Sequence, residues 1–495
     1  MDNGVPLTEN TSHLQKAELA PFYHGVASGD PYQNSLVIWT RITPKFQMKK
    51  VPITWEVASD PDFKSIVKLG EFNTSPKRDY TVKVVVDGLR PGTTYYYRFK
   101  GLGRYSAIGT SKTLPKGDKT PVNLAFASCS NIEFGYFNAY AAMVKDELDA
   151  VIHLGDYIYE YGPNTYGDST FFKKNIPPHE IISLQDYRDR YSQYRLDEDL
   201  QKVHGAFPFI NVWDDHEITN NAYVSGAENH QDNEGSYEQR KAVAKQVFYE
   251  WLPIREGKNL YRKFQFGTTL ELIMLDERLA GRTMQPDSIN DPRRISPAHH
   301  LLGDTQMQWL IKSLKDSKAI WKIIGNQVIF SYSDWGHESF RQNMDAWDGY
   351  PNDQKTLTRA ITANTIENLV FVTGDTHTAW AFEATSDPFD RYDRTTGEGA
   401  IGVEFGVTSI SSGNANERSP DEEVRAHEKE ILKPKFNPHL KYVNMRDHGY
   451  LKLMINSDEI IAEYKIVPGL STRSPESVVD KTFTVQRGRQ RLMEK

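Results

Sequence analysis

The 495-residue sequence has one cysteine, no apolar run long enough to cross a bilayer and no dominant sign of charge. Each absence closes off a class of protein. A single thiol forbids an intrachain disulfide, so the fold must rest on its core, which a chain of this length can supply. Basic and acidic residues number 59 and 66, are interspersed throughout and leave a net charge of −7. No broad basic face is therefore offered to a nucleic-acid backbone, and no stable nucleic-acid partner is expected. A membrane-spanning helix needs roughly 20 consecutive apolar residues. None is found, and Met1, Asp2, Asn3 and Gly4 carry neither the charged nor the apolar region of a signal peptide. What the sequence has in quantity is aromatic residues, 26 Tyr and 9 Trp within a 12% total, which argues for a folded enzyme or binding protein and against disorder.

Two styles of sequence follow one another. Up to about residue 113, strand signals recur at 35–41, 51–58, 81–87 and 95–100, with Gly, Pro and Asp between them. The turn Asp87-Gly88-Leu89-Arg90-Pro91-Gly92 precedes an alternating aromatic strand and resembles the tyrosine-corner region of fibronectin type III sandwiches. An Ig-like or fibronectin-like β-sandwich is expected over 19–115. Residues 114–121, polar and containing Pro115 and Pro121, read as a linker. Over 120–468 short apolar strands alternate with helical patterns such as 237–251 and 303–315, the rhythm of a layered α/β domain. Residues 420–433 read as a charged helix, and 469–495 as a C-terminal tail.

Polar residues gather where five apolar strands of the second region end. They are Cys129; Asp156 with Tyr159; Asp214-Asp215-His216-Glu217; Asn326; and Asp375 with His377. In open α/β sheets ligands bind beyond the carboxyl ends of strands. Taken singly, each has a plain structural reading. A cysteine at a strand end is a small buried hydrophobe, and Gly-Asp after a strand is a turn. Four consecutive ionisable groups after Trp213 are harder to dismiss, because they repel one another unless a cation, solvent or a helix N-terminus compensates. Together the five endings point to a metal site.

The order strand-GDxxY, strand-DHE, strand-GN, strand-GDxH resembles the calcineurin-like metallophosphoesterases, whose pattern is DxH, GDxxY or GDxxD, GNHE, GH and GHxH. Within them the sequence is most similar to the PhoD-type alkaline phosphatases and their phospholipase D relatives. His24-Gly25-Val26-Ala27-Ser28-Gly29-Asp30-Pro31 and Val37-Ile38-Trp39-Thr40-Arg41 resemble the opening of the PhoD N-terminal domain. Phe126-Ala127-Ser128-Cys129-Ser130, Trp213-Asp214-Asp215-His216-Glu217 and Gly374-Asp375-Thr376-His377 resemble its catalytic blocks. The resemblance implies an α/β fold, a four-layer αββα metallophosphoesterase sandwich preceded by the β-sandwich. It also implies hydrolysis of phosphate mono- or diesters.

Carried over by residue, Cys129 stands where most relatives have the aspartate of DxH, Tyr159 stands where the iron-binding phenol of the purple acid phosphatases lies in GDxxY, and His377 would be the last histidine of GHxH. With Asp156 they form an anionic set that fits ferric iron (Fe3+). Asp215 replaces the asparagine of GNHE, Asn326 lies in the block that usually supplies histidine, and Asp375 replaces the first histidine of GHxH. Asp156 would bridge. Oxygen donors alone remain there, with Asp214 and Asn221 as further ligands, and favour calcium (Ca2+); a cap or turn role for Asn221 stays open.

The implied mechanism is attack by an iron-bound hydroxide or oxide while calcium neutralises the phosphate oxygens. His216 either contacts the leaving oxygen or orients Asp215. Arg278 either holds a substrate phosphate or pairs within its own segment. Residues 420–433, with His448-Gly449-Tyr450, are candidates for a lid. A phospholipase D-like phosphodiesterase is the alternative within the enzyme class. A calcium-braced binding or adhesion protein is the alternative outside it, though structural calcium has no use for the Cys129 thiolate. By analogy the protein is expected to be periplasmic or secreted, and to act as a monomer.

Overall fold

The computed structural model describes residues 6–7, 9–117 and 119–495; residues 1–4 and Asp118 of the expected linker lie outside it. Two large sheets form its centre. The first has ten strands, in spatial order Met493–Glu494, Val478–Gln486, Glu459–Ile466, Gly449–Ile455, Val122–Ala127, Ala150–His153, Pro208–Asn211, Val26–Gly29, Ser35–Arg41 and Thr81–Asp87. The second has seven: Arg262–Phe266, Leu270–Met274, Trp321–Gly325, Leu369–Thr373, Gly402–Gly406, Ala379–Ala384 and Leu440–Asn444.

Alternation of side chains on the second sheet builds two cores. Leu272, Ile323, Val370, Val372 and Phe405 face the first sheet and pack with its Phe126, Ile152 and Ile210. Ile273, Ile324, Phe371 and Phe382 point the other way, onto Leu310 of helix Gly303–Asp316, Leu357 of Pro351–Ala363 and Ile431 of Asp421–Ile431. Helices Leu184–Arg195, Glu198–Ala206 and Tyr237–Trp251 send Tyr191, Leu200 and Val247 into the core of the first sheet. The order helix, sheet, sheet, helix is the expected four-layer α/β arrangement. The helix Asp421–Ile431 belongs to its outer layer, with Val424 buried, and Gly449–Ile455 is an inner strand, so neither is free to act as a lid.

The N-terminal region forms a β-sandwich, but not a detached one. A five-stranded sheet built on Ile66–Thr74, Val51–Ala58 and Thr94–Gly101 packs through Val57, Tyr97 and Phe99 onto Ile38 and Val82. Those two lie on strands of the ten-stranded sheet, where Val26–Gly29 runs parallel to Pro208–Asn211 with Ser28 opposite Pro208. The tyrosine corner is present: the buried Tyr95 hydroxyl accepts from the Arg90 amide at 2.9 Å. Residues 469–495, expected as a tail, instead add two strands. Val478–Gln486 pairs along Glu459–Ile466 and buries Phe483 and Val485, so apolar alternation outweighs the polar composition of the segment.

Candidate metal centre

Val122–Ala127, Ala150–His153 and Pro208–Asn211 run parallel, as do Trp321–Gly325 and Leu369–Thr373 in the facing sheet, so their carboxyl ends deliver the candidate residues to one edge. The turns there are tight. Cys129, Asp156, Asn221, Asp375 and His377 all adopt positive φ, between 53° and 65°. Non-glycine residues hold such conformations at a cost, and a cluster of them at one edge is a feature of strained functional sites. Gly155, at φ 113°, is required by close approach, because a Cβ there would lie 2.4 Å from the Asp214 amide nitrogen.

Buried glutamates fix these turns by accepting from main-chain amides. Glu217 takes the amides of Tyr157 at 2.6 Å, Asp214 at 2.8 Å and Asp156 at 3.1 Å. Glu277 takes Gln327 and Val328 at 2.7 and 2.8 Å, and the Trp347 indole at 2.8 Å. Glu404 takes Phe330 and Ser331 at 2.8 and 2.7 Å, and the Thr373 hydroxyl at 2.7 Å. Burial pushes the carboxyls of Glu217 and Glu277 up to about 8. Of the three, the sequence marks only Glu217, within Asp214-Asp215-His216-Glu217; Glu277, next to Arg278, and Glu404 carry no local signal.

Among the described residues, three groups of ligand-type atoms result: Cys129, Asp156 and His377; Asp156, Asp215 and His216; and Asp214, Asp215 and Asp375, with all atoms in each within 4.8 Å of one another. Asp156 belongs to two of them. In the first group the Tyr159 hydroxyl lies 3.1 Å from Asp156 Oδ2 and 3.2 Å from His377 Nε2, and the Cys129 thiol 3.4 Å from Asp156 Oδ2. His377 Nδ1 donates to the Gly413 carbonyl at 2.9 Å, which turns Nε2 inward, and burial lowers its pKa to about 4, so the imidazole is neutral. Ser412 also bonds the Tyr159 hydroxyl at 2.7 Å. Burial first, and then neighbouring carboxylates, push the Cys129 thiol, the Asp156 and Asp375 carboxyls and the Tyr159 phenol well above their ordinary ranges. Such a group must hold protons or a cation.

The four ionisable residues after Trp213 part company. Glu217 turns back to the amides already named, and Asp214 pairs with Arg278. His216 Nδ1 sits 2.6 Å from the fully buried Glu160, whose other oxygen accepts the Asn220 amide at 2.7 Å. The cost of burial is outweighed by Asp215, Glu160 and Asp156, which hold the His216 pKa well above its ordinary value. Asn326 donates its Nδ2 to the Val328 carbonyl at 2.6 Å, leaving Oδ1 buried without a partner. Asp156 Oδ1 and Asp214 Oδ2 are equally unpartnered. Asn221 is partly buried, its amide 2.7 Å from Asp215 Oδ2 and its side chain bonded to Glu228.

Arg278 departs from both sequence readings. It is fully buried, and its partners Asp214, Asp215, Asp345 and Asp375 all lie outside its own segment. Asp345 and Glu160 carry no signal in the sequence, since nothing local marks a loop aspartate or the last residue of Tyr157-Ile158-Tyr159-Glu160 as a partner of distant groups. A cavity of about 740 Å3 opens beside Asn221 and Asp345, walled by residues 284–290 and 338–345. A larger one of about 920 Å3, between residues 10–16 and 172–179, holds none of these side chains.

Comparison with known proteins agrees with this architecture. The sequence profile of the PhoD-like phosphatases matches residues 124–464, and that of the PhoD-like phosphatase N-terminal domain matches residues 8–115. Alkaline phosphatase D of Bacillus subtilis (strain 168) is 38% identical over 468 residues, covering 90% of this chain and 78% of that protein. A solved structure of PhoD aligns with a TM-score of 0.86 and 35% identity, over 97% of this chain and 93% of the other. The chain is thus a homologue of a phosphoric ester hydrolase, and it belongs to the PhoD-like phosphatase family.

Proposed function

We propose that the protein hydrolyses phosphate esters at a mixed iron and calcium centre. Cys129, Asp156, Tyr159 and His377 would hold Fe3+; Asp156, Asp215, Asn326 and Asp375, with Asp214 and Asn221, would hold Ca2+. The observation that carries this reading is the set of buried oxygens without partners, Asp156 Oδ1, Asp214 Oδ2 and Asn326 Oδ1. A buried polar oxygen calls for a partner, and these three follow Ala150–His153, Pro208–Asn211 and, in the facing sheet, Trp321–Gly325, so they point to a ligand between the two sheets' strand ends. Donor chemistry separates the two seats: thiolate and phenolate suit a ferric ion, while carboxylate and amide oxygens suit calcium.

When bound, the metals supply Lewis-acid charge for the phosphate oxygens and lower the pKa of a coordinated water. The chain's own residues do the rest. Glu160 takes the Nδ1 side of His216, so the other ring nitrogen faces Asp156 and Asp215, placed to contact the leaving oxygen. Glu217 fixes the backbone of Asp156 and Asp214 so that the carboxylates need not reorganise. Arg278, buried beneath the carboxylates, does not reach substrate in this reading. The 740 Å3 cavity beside Asn221 and Asp345 gives room for a second ester group and favours a phosphodiester.

Metal analysis of protein purified without chelators should find iron and calcium, with visible charge-transfer absorption from thiolate or phenolate. Cys129→Ala should remove iron, colour and turnover together; a variant that keeps its full iron content and activity would overturn the assignment. Bis-p-nitrophenyl phosphate should be cleaved faster than p-nitrophenyl phosphate. A colourless protein that binds calcium and turns over neither would return the adhesion reading.

A further inference from the structure

Arg278 meets the second seat with two of its guanidinium nitrogens and the adjoining Asp345 with the third. Nε bonds Asp214 Oδ1, Nη1 lies 2.7 Å from Asp345 Oδ2, and Nη2 lies 3.4 Å from Asp375 Oδ1 and 3.7 Å from Asp215 Oδ1. Asp345 is shared with Arg282, also buried, which bonds both its carboxylate and, at 2.8 Å, its carbonyl. Four carboxylates and two guanidiniums therefore make one connected group, and their formal charges leave −2. Within it Asp214 Oδ2 is buried and has no hydrogen-bond partner, so the group has a lone pair to offer an added cation.

We propose that Arg278 is a fixed internal counter-ion that sets the valence of the cation this seat accepts, matching it to a divalent ion and keeping a trivalent one out. The proposal rests on the reading of Asp214, Asp215 and Asp375 as cation ligands. A guanidinium does not shed its proton, and one buried among four carboxylates, hydrogen-bonded to Asp214 and Asp375, stays in place when a cation arrives. Its repulsion grows with the charge of the incoming ion. At about 6 Å and an effective dielectric near 20, each extra unit of cation charge costs on the order of 100-fold in affinity. Beside an iron seat a few ångströms away, the effect has a purpose: ferric iron is left the thiolate and phenolate of Cys129 and Tyr159, and calcium the oxygen donors around Arg278.

Protein stripped of divalent ions with EGTA, its iron retained, is titrated with Ca2+ by calorimetry and with Tb3+ by luminescence. Arg278→Gln should raise the ratio of Tb3+ to Ca2+ affinity at least tenfold. Asp345→Asn, which removes a negative charge, should move it the opposite way, so either variant decides the matter if the other fails to fold. Asp215→Asn should weaken both ions. If Asp215→Asn binds both as tightly as the unaltered protein, the seat itself is misread. If Asp215→Asn weakens binding while both other variants keep the original ratio within twofold, the seat stands and the role of Arg278 is refuted.

Discussion

Replacing Gly155 by alanine tests whether the centre depends on contact between two strand ends. The new Cβ would meet the Asp214 amide nitrogen and Cβ at 2.4 Å and its Cα at 2.9 Å. Ordinary carbon contacts begin near 3.5 Å, so the turns after Ala150–His153 and Pro208–Asn211 must separate by about 1 Å. The backbone at φ 113° is also one that alanine adopts only under strain, about 1–3 kcal/mol. Glu217 binds the amides of Asp156 and Asp214 at once and cannot follow both, so part of that clamp is lost as well. A total near 3 kcal/mol or more of destabilisation is expected, with turnover down by about 100-fold, the scale of a 1 Å misplacement at a reacting centre. The control is Gly205→Ala, in helix Glu198–Ala206, where nothing lies within 4 Å of the added carbon. It should stabilise by about 0.5–1 kcal/mol. Thermal melts and hydrolysis of p-nitrophenyl phosphate measure both. Gly155→Ala with unchanged melting and more than half the original rate would refute the argument.

Two further outcomes follow from the buried charges. Glu160→Gln removes one of the carboxylates that hold the His216 pKa up, so if His216 donates its proton, the alkaline limb of the pH–rate profile should move to lower pH, with metal content unchanged; a profile that stays in place removes His216 from proton transfer. His439, held neutral by burial with a pKa near 3 against about 6.5 when unfolded, takes up its proton only on unfolding. Its contribution is whole above pH 6.5 and is lost as pH falls toward 3, by about 1.4 kcal/mol per unit. His439→Gln, which can still donate to the Tyr332 carbonyl, should therefore flatten the acid side of the melting-temperature profile, and parallel profiles would count against this account.

What the sequence reveals depends on how far each residue's environment is set by its neighbours in the chain. Ser35–Arg41 is buried on both faces and reads as a strand directly. Ile66–Thr74 is an edge strand whose Ile66, Val67 and Leu69 are exposed, so it lacks the alternation that announces a half-buried strand, and it goes unread. The same holds at the centre. Cys129, Asp156, Asp215 and Asp375 are legible because each closes its own strand. The pairing with Arg278 is not, because Asp214, Asp345 and Asp375 reach it from 64, 67 and 97 residues away.

The seam between Val26–Gly29 and Pro208–Asn211 has a consequence for the growing chain. As it leaves the ribosome, the β-sandwich carries an open edge until residue 211 has been made. The strand that leads to Cys129 waits longer, since one of its two neighbours is Gly449–Ile455. The loop whose Ser411 and Ser412 amides bond the Cys129 carbonyl also comes late in synthesis. No nascent chain that stops short of Ile455 can present the finished centre, so the strand that leads to Cys129 completes its pairing only after more than 320 further residues have been added.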